Sequence, residues 1–261
     1  MPRYLAIFVC ALIMPLAAFA QDSVAVKKFL AQQKGISKSF NAYFNANIST
    51  LYGSRESAFI HTIDSLRRTF LNPLDSFKAI APKAGKAFFK EQYTDINYTF
   101  DRFILDYPPV HKRIAGQAVT FSTSTQEYIN RIDIHTPELL QYEAFRKYLS
   151  SFLQQQTDKE LQNNTKAYAS SNNQNLDAGL STINKIFKNP VIRNRMAYDL
   201  LTYHIENYGV KDLTPALALF TKMKPEARLQ STIDSLYQAE LKERNNHSIE
   251  IYKQAGKFKL D

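Results

Sequence analysis

Phe89, Tyr93, Ile96, Phe100, Phe103 and Tyr107 recur at intervals of four, three, four, three and four residues. At 3.6 residues per turn these intervals set six large apolar groups along one stripe of a helix, a placement that the two-residue period of a strand does not allow. Such a stripe needs other helices to cover it. The spacing therefore predicts a helix over residues 86–107, stopped by Pro108-Pro109, inside a helical assembly.

Partners for that helix are legible on both sides. Phe40, Phe44, Ile48 and Leu51 mark a helix that Gly53 stops. Phe59, Ile60, Ile63, Leu66 and Phe70 mark another, capped by Ser54 or Ser57 and ended by Asn72-Pro73. Thr136-Pro137 opens a run through Leu139, Tyr142, Phe145, Leu149 and Phe152. After a polar stretch at 154–176, helices are expected over 177–187, 190–208, 215–223 and 225–245. In the second of these Pro190 opens the helix, Gly209 closes it, and Ile192, Met196, Leu200, Tyr203 and Tyr208 trace its inner side.

The chain has only seven glycines in 261 residues, and most of its ten prolines stand at helix boundaries, the punctuation of an all-α protein. Residues 248–253 and 257–260 instead alternate like strands around a turn at Gln254-Ala255-Gly256. The expected fold is an all-α, irregular bundle of antiparallel helices with a short C-terminal β-hairpin. Its expected divisions are a signal peptide at 1–20, an N-terminal helical subdomain at 21–171, a C-terminal helical subdomain at 172–246 and a hairpin tail at 247–261 resembling the start of a further domain. Thr62-Ile63-Asp64-Ser65-Leu66 recurs as Thr232-Ile233-Asp234-Ser235-Leu236, with a looser copy at 182–186, but the unequal separations rule out a repeat array.

Residues 1–20 have the make-up of a cleavable secretory signal. Arg3 supplies the positive start, residues 4–16 the apolar run, and Ala18-Phe19-Ala20 a small-x-small site that predicts cleavage after Ala20. The run is too short to span a bilayer, and nothing later resembles a transmembrane helix. The expected location is periplasmic or secreted. Cys10, the only cysteine, lies inside the signal, so the expected mature chain has no thiol for catalysis or zinc ligation.

The formal charge is +9 and loses Arg3 on cleavage. The basic residues read as scattered among acids, as on solvated helix faces, and export argues against a nucleic-acid partner. His61, His111, His135, His204 and His247 are far apart, with no metal-ligand spacing. No nucleophile elbow, phosphate-binding glycine loop or dinucleotide fingerprint occurs. Asp199 and Glu206 flank His204 on one expected helix, an acid/base trio by composition only, since its carboxylates stand about two turns apart. Asn47, Asn97, Asn163 and Asn246 match the glycosylation sequon, a pattern short enough to arise by chance. No catalytic, cofactor-binding or metal residue is assigned, and no cofactor is expected.

A signal segment, a long aromatic-rich helical region and then A-x-x-F-x-L at Ala255, Phe258 and Leu260 together resemble exported thioredoxin-like (redoxin) proteins of the TlpA/ResA kind. In that family a helical region precedes a redoxin domain entered through approximately A-P-D-F-x-L; Gly256 and Lys257 replace the proline and the acid. Asn189-Pro190-Val191-Ile192-Arg193, the helix leading to Tyr208-Gly209, and residues 233–241 look similar too. The resemblance implies a non-catalytic accessory region of a thiol-disulfide oxidoreductase, partnered by a thioredoxin-fold domain whose C-x-x-C would lie beyond Asp261. Residues 250–260 also resemble the opening hairpin of an exported α/β-hydrolase. The residues taken by themselves leave open a freestanding periplasmic helical module that binds a polysaccharide, a peptide or an envelope protein.

Overall fold

The computed structural model describes Val24–Ala255, with side chains through Arg244, and among these residues every regular element is helical. The α-helices are α1 (Val24–Gly53), α2 (Glu56–Ile80), α3 (Lys86–Leu105), α4 (Tyr107–Ala115), α5 (Thr123–Asn130), α6 (Glu143–Asn163), α7 (Thr165–Tyr168), α8 (Gln174–Ile186), α9 (Pro190–Tyr208), α10 (Thr214–Lys222) and α11 (Ala227–Ala255). Short 3-10 turns occupy Pro82–Ala84 and Pro137–Gln141. The chain forms two compact units, one of residues up to Ile132 with Gln141–Tyr148, the other of Asp133–Leu140 with residues from Leu149 onward. The division thus falls within α6, and Asn172 lies inside the second unit. Among the described residues no helix is long and apolar enough to cross a membrane. The expected signal segment and its cleavage site lie outside the described residues.

In the first unit α1, α2 and α3 pack around an aromatic core. Phe40 meets Phe100 at 5.5 Å between ring centroids, Phe44 meets Phe103 at 4.7 Å, and Phe59 lies between Tyr52 at 4.8 Å and Tyr107 at 4.7 Å. These tilted and edge-on contacts suit the ring quadrupoles. The predicted stripe on α3 is present but too narrow a description. Asp95, Thr99, Asp101, Arg102, Ile104 and Leu105 are buried as well, so the helix is enclosed on nearly every side. Phe145 and Tyr148 cover a second face through Tyr98.

Two proline expectations are corrected. Asn72-Pro73 does not end α2, which runs on to Ile80 with Pro73 inside it. An internal proline costs about 3 kcal/mol, and the burial of Leu74 and Phe77 on the continuing helix offsets it. Pro108-Pro109 likewise does not stop the 86–107 helix, which ends at Leu105; the prolines sit in the first turn of α4, where a missing N–H does no harm. α4 then satisfies the turn between α1 and α2, because the Tyr107 hydroxyl donates to the Ser54 carbonyl at 2.8 Å and His111 Nδ1 lies 2.7 Å from the Tyr52 carbonyl.

The second unit builds its core from α8, α9, α10 and α11, with Leu180, Ile183, Phe187, Ile192, Leu201, Phe220 and Ile233 fully buried or nearly so. α9 begins and ends where the sequence predicts. The Asn189 side chain accepts from the Val191 N–H at 2.9 Å, and Gly209 terminates the helix at φ +79°. Its inner face is rotated from expectation: Ile192, Met196, Ala197, Leu201 and Ile205 are buried, while Tyr203 and Tyr208 are 56% and 68% exposed. Two stripes about 100° apart compete on this helix, and the 197–201–205 series wins in its second half.

The C-terminal β-hairpin is also corrected. Residues 248–253 continue α11 to Ala255, no strand occurs among the described residues, and the second leg at 257–260 lies outside them. Starting a helix is costly while each further turn is cheap, so a long helix already begun at Ala227 extends through a locally alternating segment. An isolated hairpin has little to oppose that.

Candidate functional site

A groove with convergent polar groups, a cavity of about 710 Å³, lies in the second unit between the second half of α6, the loop before α8, and α9. Its floor is apolar: Leu153, Leu176 and Met196 are buried, and Leu200 lies over Gly179. A Cβ at Gly179 would come within 2.7 Å of Leu200 Cδ2, so the flexible end of that leucine would have to shift to admit it.

One wall is aromatic. Tyr203 and Tyr208 stand edge to face at 6.1 Å, and the His204 ring lies 5.2 Å from Tyr208. Burial pulls the His204 imidazole below its ordinary pKa, against the opposing field of Asp177, so the ring is neutral at neutral pH. Asp199 also lines the groove, its two carboxylate oxygens sharing the Arg195 Nε–H at 2.8 and 3.0 Å.

The other wall is a polar loop with its own scaffold. Asn172 Nδ2 donates to Asp212 Oδ2 at 2.7 Å, and Asn173 Nδ2 donates to the carbonyls of Lys211 and Asp212 at 2.9 and 3.3 Å. The Asp212 backbone is left-handed, at φ +57°, and the asparagine contacts hold it there. The amides of Gln174 and Asn175 complete the rim.

The sequence trio is divided by this geometry. Asp199 and His204 share the groove, but Asp199 is engaged by Arg195, and Glu206 is exposed and does not line it. The arrangement offers stacking faces and amide hydrogen bonds rather than an aligned acid and base. Tyr203 and Tyr208 are the residues sequence reasoning misplaced. The second stripe at Ala197, Leu201 and Ile205 could have found Tyr203, which it turns outward, whereas Tyr208 is in phase with that stripe and is exposed as the last residue of the helix.

The remaining histidines are dispersed. His111 is buried against Tyr52, His135 is exposed, and His61 borders a shallow depression of about 600 Å³ in the first unit. Glu56 in that depression already accepts from the Ser122 N–H at 3.0 Å and the Thr125 hydroxyl at 2.5 Å, joining the start of α2 to the cap of α5. The side chain of His247 lies outside the described ones. No group of three or more histidine, cysteine or acidic side chains capable of holding a metal occurs among the described residues.

One titrating cluster lies elsewhere in the first unit. Burial, reinforced by Glu91 and Glu143 and opposed by Arg146, raises the Asp95 carboxyl to about 6. A folded-state pKa above the unfolded value means stability that is full below about pH 4 and lost as pH rises through 6. Asp95→Asn should therefore stabilise the protein by ~1–2 kcal/mol at pH 7, allowing for partial solvent screening, and flatten the dependence between pH 4 and 7. Urea melts at the two pH values would measure it; a destabilised variant at pH 7 contradicts the assignment.

Compared with protein-family models, with curated proteins and with solved structures, the chain gives no match in any of the three. Among the described residues the protein is all-helical, with two compact units and a groove in the second.

Proposed function

We propose that this is an exported, non-catalytic helical binding module whose second unit holds a neutral, hydroxyl-rich ligand of the carbohydrate class. The observation that carries the reading is a pair of exposed tyrosines that line one groove together with an amide-bearing loop and the buried Leu153, Leu176 and Met196. Sugars present an apolar ring face for stacking and hydroxyls for amide hydrogen bonds. A neutral His204 and an Asp199 already paired with Arg195 leave little net field to attract an ion. A groove of about 710 Å³ suits a short oligosaccharide. Titration calorimetry against neutral and acidic oligosaccharides tests the reading. Tyr208→Ala should weaken a neutral oligosaccharide by about tenfold while leaving the melting temperature in place. Binding that survives the joint Tyr203→Ala and Tyr208→Ala change would overturn the assignment.

The accessory region of a thioredoxin-like oxidoreductase is the second reading. It is favoured by α9, whose Asn189 cap and Gly209 stop coincide with the segment that resembles that family. The helical course of residues 248–253 removes the hairpin as support for it, and for the α/β-hydrolase resemblance. A natural reading frame that continues past Asp261 into a C-x-x-C domain would support this second reading. A stop codon there with no redoxin encoded nearby would remove it.

A further inference from the structure

Charge is divided unequally between the two units, contrary to the scattered pattern expected from the sequence. Among the described residues the first unit holds seventeen Lys and Arg against nine Asp and Glu, whereas the second holds thirteen of each. Within the first unit two stretches contain no acid at all. Residues 24–55 carry Lys27, Lys28, Lys34 and Lys38, and residues 78–90 carry Lys78, Lys83, Lys86 and Lys90.

The fold brings the start of the first stretch beside the second. Phe29 of α1 stacks on Phe77 of α2 at 4.5 Å and meets Phe88 of α3 edge-on at 6.0 Å. The start of α1, the end of α2 and the start of α3 therefore share one end of the unit. Lys27, Lys28, Lys78, Lys83, Lys86 and Lys90 are all exposed there. Lys78 lies over the Tyr93 ring at 5.1 Å and helps line a cavity of about 310 Å³ with Lys86, Lys90, Phe89 and Pro82. Asp75, the acid nearest this cavity on α2, accepts the Tyr93 hydroxyl.

The same end exposes two large apolar side chains, Val24 and Ile80, each 81% accessible. Lysines around protruding apolar tips suit a boundary between water and hydrocarbon better than a soluble polyanion, which has no use for the tips.

We propose that this end of the first unit docks on an anionic lipid surface, with headgroup phosphates among Lys78, Lys86 and Lys90 and with Val24 and Ile80 seated between headgroups. The docking is peripheral and reversible, and it weakens as salt screens the lysines.

Flotation with phosphatidylcholine vesicles, with and without phosphatidylglycerol, tests this on the chain starting at Gln21, which keeps every described helix and lacks the apolar run. The expected result is binding only to phosphatidylglycerol vesicles. Joint Lys78→Glu, Lys86→Glu and Lys90→Glu changes should weaken it about a hundredfold, and joint Val24→Ser and Ile80→Ser changes about fivefold. Lys27→Glu with Lys28→Glu gives an independent charge test should the triple variant lose its helical circular dichroism. Equal binding to pure phosphatidylcholine overturns the proposal. So does competition by free glycerol phosphate, which would indicate a soluble phosphate ligand, or heparin binding as tight as vesicle binding and indifferent to Val24 and Ile80.

Discussion

Asp101→Ala should destabilise the protein by about 3–5 kcal/mol, because it leaves a guanidinium buried without its counter-charge. Arg67 donates to Asp101 Oδ1 at 2.6 Å and to the Tyr128 hydroxyl at 2.9 Å, and that hydroxyl donates to the same carboxylate oxygen at 2.5 Å. The paired side chains are only 12% and 7% exposed. Burial pushes the Asp101 carboxyl up while Arg67 and Tyr128 pull against it, and burial together with Asp101 pushes the Tyr128 hydroxyl up to about 12. The ring is thus a device that is expensive to break at one point and inexpensive to remove whole. Replacing Arg67, Asp101 and Tyr128 together with Met, Leu and Phe should recover most of the lost stability. Urea denaturation of the single and triple variants decides this, and an Asp101→Ala loss below about 1 kcal/mol would refute the burial argument.

Phe100→Ala should cost a comparable ~3–5 kcal/mol, through a cavity rather than a charge. Phe100 is fully buried and touches Phe40, Phe70 and Phe103 at 5.5, 5.6 and 5.8 Å between centroids, with the Arg67 guanidinium 5.9 Å from its ring. Its removal opens the centre of the first unit, where three helices meet. Phe100→Leu should cost less than half as much, since most of the volume is kept. Equal losses for the two variants would mean that ring geometry rather than volume holds this core. Because Arg67 touches both sites, Phe100→Ala and Asp101→Ala should be non-additive, which a double-mutant cycle would register.

How far each feature was legible depended on the range of the forces behind it. The α3 stripe is local, since four large rings within one helix can be buried only against other helices, and its spacing is written in consecutive residues. The start of α9 at Asn189-Pro190 and its end at Gly209 are local for the same reason. Pro73 reads as a stop because its local penalty is visible in the sequence, whereas the burial of Leu74 and Phe77 that offsets it depends on helices distant in the chain. The candidate groove was hidden because α9 carries two apolar series and its partners chose between them, turning Tyr203 outward, while Tyr208 is exposed at the helix end.

The sequence by itself determined that the body of the chain is helical, where several helices begin, and that its only cysteine is Cys10, because helix period, capping and composition are properties of neighbouring residues. Tertiary structure alone decided three things. It kept α2 helical through Pro73, where the burial of Leu74 and Phe77 offset the local penalty. It enclosed the Arg67–Asp101–Tyr128 ring, joining residues far apart in the chain. It also gathered two acid-free lysine stretches at one end of the first unit, because the stacking of Phe29 on Phe77 set them side by side.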